Sequence, residues 1–575
     1  MERGKILDLA GAAEVIAKRL CILIFLIAVF CCGLAHAQSD LTTSAKQLYD
    51  QERWPELIQL LEKSPRTSAD LNFYYGVALA HQERWADAGN ALSAGQKMAP
   101  RDKRFPIELA GVAFKQKRFA AAKHDLHRAL RLDAKDDYAN DFLATIYFLE
   151  GNVEAALKYW NRVEKPKVHE VKSEPAVRVR PALLDHAFAL SPASVLTTDE
   201  FLASQKRLQN LQIFPSYKIE LTALADGNFD VIFRAKERNG FGNSKVEALV
   251  RTFSGIFFQE VTPEYYNLHG SGVNILSMFR WDPDKRRAEL SLSAPLRGDP
   301  KWRYRLGADL RNENWTVQTS FTGPSTVLGG LNLRRESASA EIMRLVGSRF
   351  SWLAGLEVSH RNFRNVVTGQ ALTPALLAGG YQIKQRAQFT YELWRVPERR
   401  LTVSTGGSSE AGRVWSQPGQ SFEKLQESLT AHLFPQAKGE DYETQWYLRA
   451  GKTFGDLPFD ELFMLGVERD NDLWLRAHVG TRDGVKGSAP LGRNYFLSNW
   501  EIDKNTYSNG FFSVRLGPFF DTGKITDPAS VLGTQKWLFD TGAQAKLRVL
   551  GVGVILLYGK DLRTGNNAFY ATVGR

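Results

Sequence analysis

The feature that most constrains the fold of this chain is an alternation of apolar and charged residues across residues 265–575. Successive side chains of a β-strand point to opposite faces, so a period of two predicts strands with one apolar and one polar face. The clearest run contains Trp302, Arg303, Tyr304, Arg305 and Leu306. More than half of the chain is therefore expected to form a sheet.

The arginines on one face of this sheet favour a barrel with lipid outside and water inside. A soluble β-sandwich also alternates, but recurrent arginines on one face and aromatics at strand ends are more typical of a membrane barrel. Only helices and closed barrels satisfy every backbone amide in lipid. We predict about 16 antiparallel strands over 265–575. Trp302, Tyr304 and Leu306 should face lipid, and Arg303 and Arg305 should face the lumen.

The N-terminal segment 1–37 is typical of an export signal. Lys18 and Arg19 precede an apolar run over 20–35, and small residues at 35–37 form a cleavage site. The alternative is a membrane anchor, but the run is shorter than the ~20 residues that a spanning helix needs. We therefore predict a cleaved signal and an exported protein.

Cysteine and charge limit the chemistry of the exported chain. All three cysteines, Cys21, Cys31 and Cys32, lie in the predicted signal, so no disulfide or thiol chemistry is expected after cleavage. Cleavage would take the formal net charge from +11 to +10. This basic charge either serves solubility or favours contact with anionic lipid headgroups or an acidic client. No arginine-aromatic motif of a nucleic-acid module is present, so no nucleic-acid partner is expected.

Residues 38–165 contain an internal repeat. The sequence at 82–85 recurs at 116–119 and at 150–153, in steps of 34 residues, and an earlier copy lies at 51–54. A small residue lies three positions after the last residue of each of these three copies, at Ala88, Ala122 and Ala156. A large apolar residue lies four positions further on, at Leu92, Leu126 and Trp160. This spacing resembles tetratricopeptide repeats, and a generic array of helical hairpins is the alternative. Either array binds partner proteins or peptides on a concave face.

A linker and a small α+β domain are predicted next. Charge and proline dominate 166–181, which indicates a linker with a possible strand at 177–180. The domain over 182–260 should contain a helix opened by the capping-box pair Thr197 and Glu200. Two alternating strands should follow, at 217–221 and 231–235, joined by a turn at 226–228.

This small domain resembles the polypeptide-transport-associated (POTRA) domain of the BamA and TamA type of outer-membrane protein. The resemblance lies in the order of the elements and in Arg207-Leu208, Leu211-Gln212-Ile213-Phe214 and Glu237-Arg238. It implies a periplasmic module whose strand edges accept extended polypeptide by β-augmentation. The fold class expected for the whole chain is thus a tetratricopeptide-like solenoid, a POTRA-like domain and a transmembrane β-barrel.

The barrel segment resembles the same family and the two-partner-secretion barrels. The similar segments are 266–272, 287–295, 498–501, 518–523 and 558–563. The family carries a Val-Arg-Gly-aromatic motif on a loop inside the lumen, where the arginine pairs with acidic groups of the wall. The resemblance assigns this role to Arg476, with Leu475 and His478 beside it and Asp521 as the candidate partner on the wall. Arg482, with Gly484, is the alternative.

No catalytic, metal or cofactor site is expected. Residues 551–553 lack the glycine pattern of a nucleotide site, and the ten histidines show no metal-ligand spacing. Residues 406–409 lack the setting of a nucleophile elbow. The chain is therefore not expected to be an enzyme.

The sequence favours a protein of the bacterial outer membrane that inserts or translocates other polypeptides. Its N-terminal domains would lie in the periplasm and contact partner or client proteins, and its barrel would contact lipid. The alternative is an exopolysaccharide-export porin whose repeats scaffold a synthesis complex. The helix-strand-strand segment and the lumen arginine favour the first function, because a glycan porin needs neither.

Overall fold

The computed structural model describes residues 40–242, 245–318, 325–417, 419–509, 512–528, 532–549 and 552–574. The predicted signal at 1–37 lies outside these residues. The chain divides into two compact units, Met1–Ile146 and Tyr147–Arg575. Within the described ranges, no helix is both long enough and apolar enough to cross a membrane.

The described part of the first unit, residues 40–146, is all helical. Its helices are α1 (40–50), α2 (Trp54–Glu62), α3 (Ala69–His81), α4 (Trp85–Met98), α5 (Arg104–Lys115), α6 (Phe119–Leu132) and most of α7 (Asp137–Leu149). Their shared core is built from leucines, alanines and aromatic rings, among them Leu57, Phe73, Leu79 and Phe105. The helical half of the expected fold class is confirmed.

The 34-residue period has a backbone signature. Glu52, Glu83, Lys117 and Gly151 each hold a positive φ in the turn between two helices. The small and large residues that the repeat placed in the helix crossings are all buried. A Cβ atom on Gly76 would lie 2.6 Å from Leu92 Cγ, so α3 and α4 approach closely at this point. Small residues therefore allow the close packing that the repeat pattern indicates.

The second unit begins with helix α8 (Val153–Trp160) and a small α+β domain. The elements of this domain are β1 (Val168–Ser173), α9 (Pro181–Ala187), α10 (Thr198–Leu211), β2 (Ser216–Ala223) and β3 (Phe229–Lys236). Its sheet has the order β1-β3-β2, with β1 parallel to β3 and β2 antiparallel to β3. The linker assigned to 166–181 is therefore wrong for β1, which pairs Val171 with Val231. A strand lies there rather than at 177–180.

Helix α10 begins and ends with specific contacts. The capping box between Thr197 and Glu200 is present at its N-terminus, which confirms that prediction. At its C-terminus, Arg303 of the barrel donates to the carbonyl oxygens of Asn210 and Leu211, at 2.7 and 3.1 Å. Asn274 donates to the Leu211 carbonyl as well, at 3.0 Å. A cation at this end of a helix also interacts favourably with the helix dipole.

The barrel is a closed ring of long strands, which confirms the expected all-β class. Helix α11 (Lys245–Phe257) precedes the ring, and the sequence had not indicated it. The first strands are β4 (Glu260–Val261), β5 (Glu264–Leu268), β6 (Val273–Arg280), β7 (Lys285–Leu296), β8 (Asp299–Gln318), β9 (Val327–Val346) and β10 (Phe350–Val367). Then come β11 (Gly380–Val396), β12 (Leu401–Trp415), β13 (Gln420–Leu433) and β14 (Tyr442–Gly455).

After β14 the chain forms short strands and then returns to the wall. The short strands are β15 (Phe463–Met464), β16 (Thr481–Arg482), β17 (Val485–Lys486) and β18 (Leu491–Gly492). The wall continues with β19 (Asn494–Ser508), β20 (Phe512–Thr526), β21 (Gly533–Val549), β22 (Val552–Asp561) and β23 (Asn567–Gly574). The described wall pairings from β5 through β14 and from β19 through β23 are antiparallel, including β14 with β19.

The two faces of the wall follow the alternation in the sequence. Leu290, Leu306 and Leu310 are about half exposed on the outer surface. Arg305 faces inward and lies 3.6 Å from Glu341 of the neighbouring strand. Arg303 also faces inward, but it is only 3% exposed because it caps α10. We therefore expect Arg303→Lys to cost more stability than Arg305→Lys, although both side chains face inward.

Helix α8 contacts a turn of the barrel between β11 and β12. Lys158 Nζ and the Tyr159 hydroxyl both donate to Glu398 Oε1, at 2.6 and 2.7 Å. Burial alone would raise the pKa of Glu398, but the hydrogen bonds from Lys158 and Tyr159 hold it below its usual value. Asn152 Nδ2 donates to the Pro397 carbonyl at 2.8 Å. Helix α8 is thus bound to the wall.

Candidate functional site

The candidate site is the segment 456–493, called here the lumen loop, which connects β14 to β19. Its side chains contact inward-facing residues of many strands, from β6 to β11 and from β19 to β22. Three leucines of the loop, Leu465, Leu473 and Leu475, pack with Leu497 and Ile525 of the wall in a buried apolar cluster. Leu475 itself is fully buried. The loop is therefore packed against the wall as well as bound to it by polar contacts.

Arg476 lies at the centre of these contacts. Its Nε and Nη2 donate to the two oxygens of Asp521, at 2.9 and 2.7 Å, and its own backbone N–H donates to Asp521 Oδ2 at 2.9 Å. Its Nη1 donates to Glu501 at 2.6 Å and to Gln544 at 2.9 Å. The guanidinium carbon lies 4.0 Å from the centre of the Phe519 ring. The structure thus brings Arg476 and Asp521 together in a two-pronged contact.

The geometry of these contacts suits an arginine better than a lysine. The planar guanidinium satisfies three side-chain acceptors on three strands and stacks on an aromatic ring at the same time. A lysine ammonium has the charge but cannot form the two parallel bonds. Arg476 is 4% exposed, so its charge depends on these partners for compensation.

Arg482 and Gly484 occupy a different part of the lumen loop. Arg482 ends β16, and Asp483 and Gly484 hold positive φ angles of 51° and 83° in the tight turn to β17. Arg482 Nη1 donates to the Ser325 hydroxyl at 3.4 Å. The Asp-Gly pair therefore forms a hairpin turn, because glycine tolerates that backbone conformation. Of the two candidate arginines, Arg476 is the one that lies in a buried group of charged partners.

Acidic residues of the lumen loop bind a basic part of the wall. Asp470 pairs with Arg280 and Arg287 at 2.8 and 2.7 Å, and with Lys486 of the loop itself at 2.9 Å. Lys486 also reaches Glu313 of β8 at 2.7 Å. Asp470 therefore joins the loop to β6 and β7, and Lys486 joins it to β8.

A second acidic pair, Asp460 and Glu461, binds the next three strands of the wall, β9, β10 and β11. Asp460 lies 3.0 Å from both Arg335 and Arg361. Glu461 lies 3.3 Å from Lys384. Glu461 is 3% exposed and Arg361 is 1% exposed. Together with Arg476, these contacts give the wall a basic side that holds loop carboxylates and an acidic side that holds the loop arginine.

The sequence analysis missed these loop carboxylates. The signal that could have found them was the acidic pair at 460–461 in a segment whose neighbouring strands carry inward arginines.

His478, noted as a neighbour of Arg476, also has a specific contact with the wall. Its Nδ1 lies 3.0 Å from Asp540 Oδ2, and Ala477 N–H donates to that same oxygen at 2.6 Å. These contacts with Asp540 add to those of Arg476, Asp470 and the acidic pair at 460–461.

These features define a class: a closed antiparallel barrel with a folded lumen loop, preceded by a small α+β domain and helical repeats. No family model and no curated protein matches this chain.

Several solved structures are similar. BamA from Haemophilus ducreyi lacking POTRA domains 1–3 shares 13% identity, with 71% of this chain and 84% of that chain covered and a TM-score of 0.39. CdiB from Escherichia coli shares 12% identity, with 71% of this chain and 75% of that chain covered and a TM-score of 0.43. MamA shares 18% identity, with 21% of this chain and 73% of that chain covered and a TM-score of 0.21.

Proposed function

We propose that this protein is an outer-membrane barrel that inserts or translocates other polypeptides. The outward leucines and inward arginines of the wall support a lipid-facing exterior and an aqueous interior. The closed ring supports membrane insertion, because it leaves the wall without the exposed strand edges that lipid does not tolerate. In this proposal, residues 38–260 lie in the periplasm.

The observation that carries the proposal is the lumen loop held by Arg476. The loop is bound to distant strands of the wall, through Asp460 to β10 and through Arg476 to β20. Because these ion pairs are buried and mutually compensated, moving the loop would expose several charges that lack partners. A barrel built as an open glycan pore has no use for such a loop, whereas a barrel that acts on polypeptides can use it as a fixed lumenal surface.

The N-terminal elements support contact with polypeptides. Stacked helical hairpins expose a concave face that binds peptides or partner proteins. In the small domain, β2 is an edge strand of the sheet β1-β3-β2, with backbone groups free to pair on one side. An extended client segment could add to this edge by main-chain hydrogen bonds.

The test is a client-insertion assay with purified protein in lipid vesicles, using Arg476→Lys and the matched control Arg482→Lys. The lysine at 476 loses the two-pronged bond to Asp521, and a hydrogen bond to a charged group contributes about 1.5–3 kcal/mol. We therefore expect activity to fall by about tenfold or more in Arg476→Lys. Arg482→Lys should retain parental activity.

A folding control separates loss of function from loss of the barrel. Both variants should show the parental shift in electrophoretic mobility between unheated and heated samples. If Arg482→Lys is impaired and Arg476→Lys is not, the functional arginine is Arg482. If both are active, the lumen loop has no role in client handling. If the variants affect only the export of polysaccharide from cells, the glycan-porin function replaces the one proposed.

A further inference from the structure

Strand register places three carboxylates side by side on the inner wall. Asp521 of β20 pairs directly with Asp540 of β21, and Asp540 pairs directly with Asp561 of β22. Residues that face each other across antiparallel strands have Cβ atoms about 4.5–5.5 Å apart, and like charges in this arrangement repel. Asp521 is compensated by Arg476. The negative charges of the other two carboxylates, Asp540 and Asp561, must be balanced by other groups.

Asp540 and Asp561 share a single basic neighbour. His478 Nδ1 lies 3.0 Å from Asp540 Oδ2, and His478 Nε2 lies 3.9 Å from Asp561 Oδ2. Asp540 is fully buried, and Asp561 and His478 are 2% and 1% exposed. Within the described part of the chain, neither carboxylate forms an ion pair with a lysine or arginine. Even with a protonated imidazole, the group would retain a net negative charge.

The remaining polar contacts do not remove this charge. Asp561 accepts from the Thr564 hydroxyl and from the backbone N–H of Arg563, both of which are neutral donors. Asp540 Oδ2 accepts from the Ala477 N–H, but Asp540 Oδ1 has no hydrogen-bond partner. A buried carboxylate oxygen without a partner is costly, and a cation is one of the few groups that can satisfy it.

We propose that His478, Asp540 and Asp561 form a binding site for a divalent transition-metal ion of the Zn²⁺ class. One ligand atom from each residue lies within 4.8 Å of the other two, which is close enough for a shared ion. An imidazole nitrogen with two carboxylate oxygens favours Zn²⁺ over Mg²⁺ or Ca²⁺, which prefer oxygen ligands alone. A divalent charge would neutralise both carboxylates. Such an ion would bind the lumen loop to β21 and β22 beside the Arg476 contact.

A second histidine pair in the barrel provides a matched control. His432 Nε2 lies 2.8 Å from Glu443, but Glu443 is also paired with Arg515. Its carboxylate is therefore compensated without a metal ion. Replacing His432 should leave metal binding unchanged, while replacing His478 should remove it.

The test is titration of Zn²⁺ into chelator-treated full-length protein in detergent micelles, followed by calorimetry. We expect one Zn²⁺ per chain for the parent and for His432→Gln, and at least tenfold weaker binding for His478→Gln and Asp561→Asn. Binding that is equal in the parent and His478→Gln, or absent from the parent, would overturn the proposal. Because no client is present, the outcome is independent of the proposed transport function.

A gain-of-signal variant covers the case in which Asp561→Asn does not fold. Residues 38–575 contain no cysteine, so in protein that lacks residues 1–37 His478→Cys introduces a single thiol. With Co²⁺ as the probe, a thiolate ligand should add a sulfur-to-metal charge-transfer band that the parent lacks. Folded His478→Cys protein without this band would show that residue 478 does not bind the ion.

Discussion

Adjacent residues on β8 allow a direct test of which face of the wall contacts lipid. Leu306 is 50% exposed on the outer surface, and Arg305 faces the lumen near Glu341. Leu306 lies four residues beyond Trp302, which is about 13 Å along the strand at ~3.3 Å per residue. With a strand tilt of about 40°, this is about 10 Å above the level of Trp302. Aromatic residues flank the apolar band of a membrane barrel, which is about 25 Å tall, so we take Trp302 as one edge of the band and place Leu306 near its middle.

At this depth a lysine on the lipid face has its largest cost. Leu306→Lys should therefore lower the free energy of unfolding by about 2–4 kcal/mol. Val346 lies two residues beyond Arg344, the partner of Trp302, toward the end of β9, and it is 43% exposed. Val346→Lys should cost only about 0–1 kcal/mol, because it lies near the edge of the apolar band.

The lumenal control is Arg305→Lys, which keeps the charge beside Glu341 and should cost less than about 1 kcal/mol. The measurement is denaturant unfolding of the purified protein in phospholipid vesicles, followed by tryptophan fluorescence. Similar penalties for Leu306→Lys and Arg305→Lys would refute the assignment of the two faces. Similar penalties for Leu306→Lys and Val346→Lys would refute the depth.

Two further predictions concern the helical segments. Because the pKa of Glu398 is lowered, its contact with Lys158 should stabilise α8 above the usual glutamate pKa and be lost as the pH falls through the lowered value. Hydrogen exchange of α8 should show this loss, and an equal pH dependence in Glu398→Gln would contradict it. Leu92→Ala should cost about 2–5 kcal/mol in thermal unfolding of the repeats, because Leu92 is fully buried against Gly76. The exposed control Met98→Ala should change little.

The features that could be predicted from sequence are those encoded locally. The helical repeats follow from the 34-residue spacing, and the strands of the wall follow from the alternation around Leu306. The contact of Arg476 with Asp521 was expected only through a family resemblance, because the two residues lie on separate elements. Its other partners, Glu501 and Gln544, depend on which side chains the closed ring brings together.

The features that the sequence did not reveal depend on distant pairing. Strand β1 lies in a charged, proline-containing segment, and its partner β3 is about 60 residues away. The group of His478, Asp540 and Asp561 shows no metal-ligand spacing because its members come from one loop and two strands. A search for local motifs cannot detect ligands that only the register of the barrel aligns.

The contact between Arg303 and the end of α10 has a mechanical consequence. Rotating the small domain would separate a buried guanidinium from two helix-terminal carbonyls and break the bonds of Asn274 and Asn210 to their backbone partners. Leaving those groups unpaired would oppose a swing at this joint. The edge of β2 should therefore keep a constant position relative to β8 of the barrel.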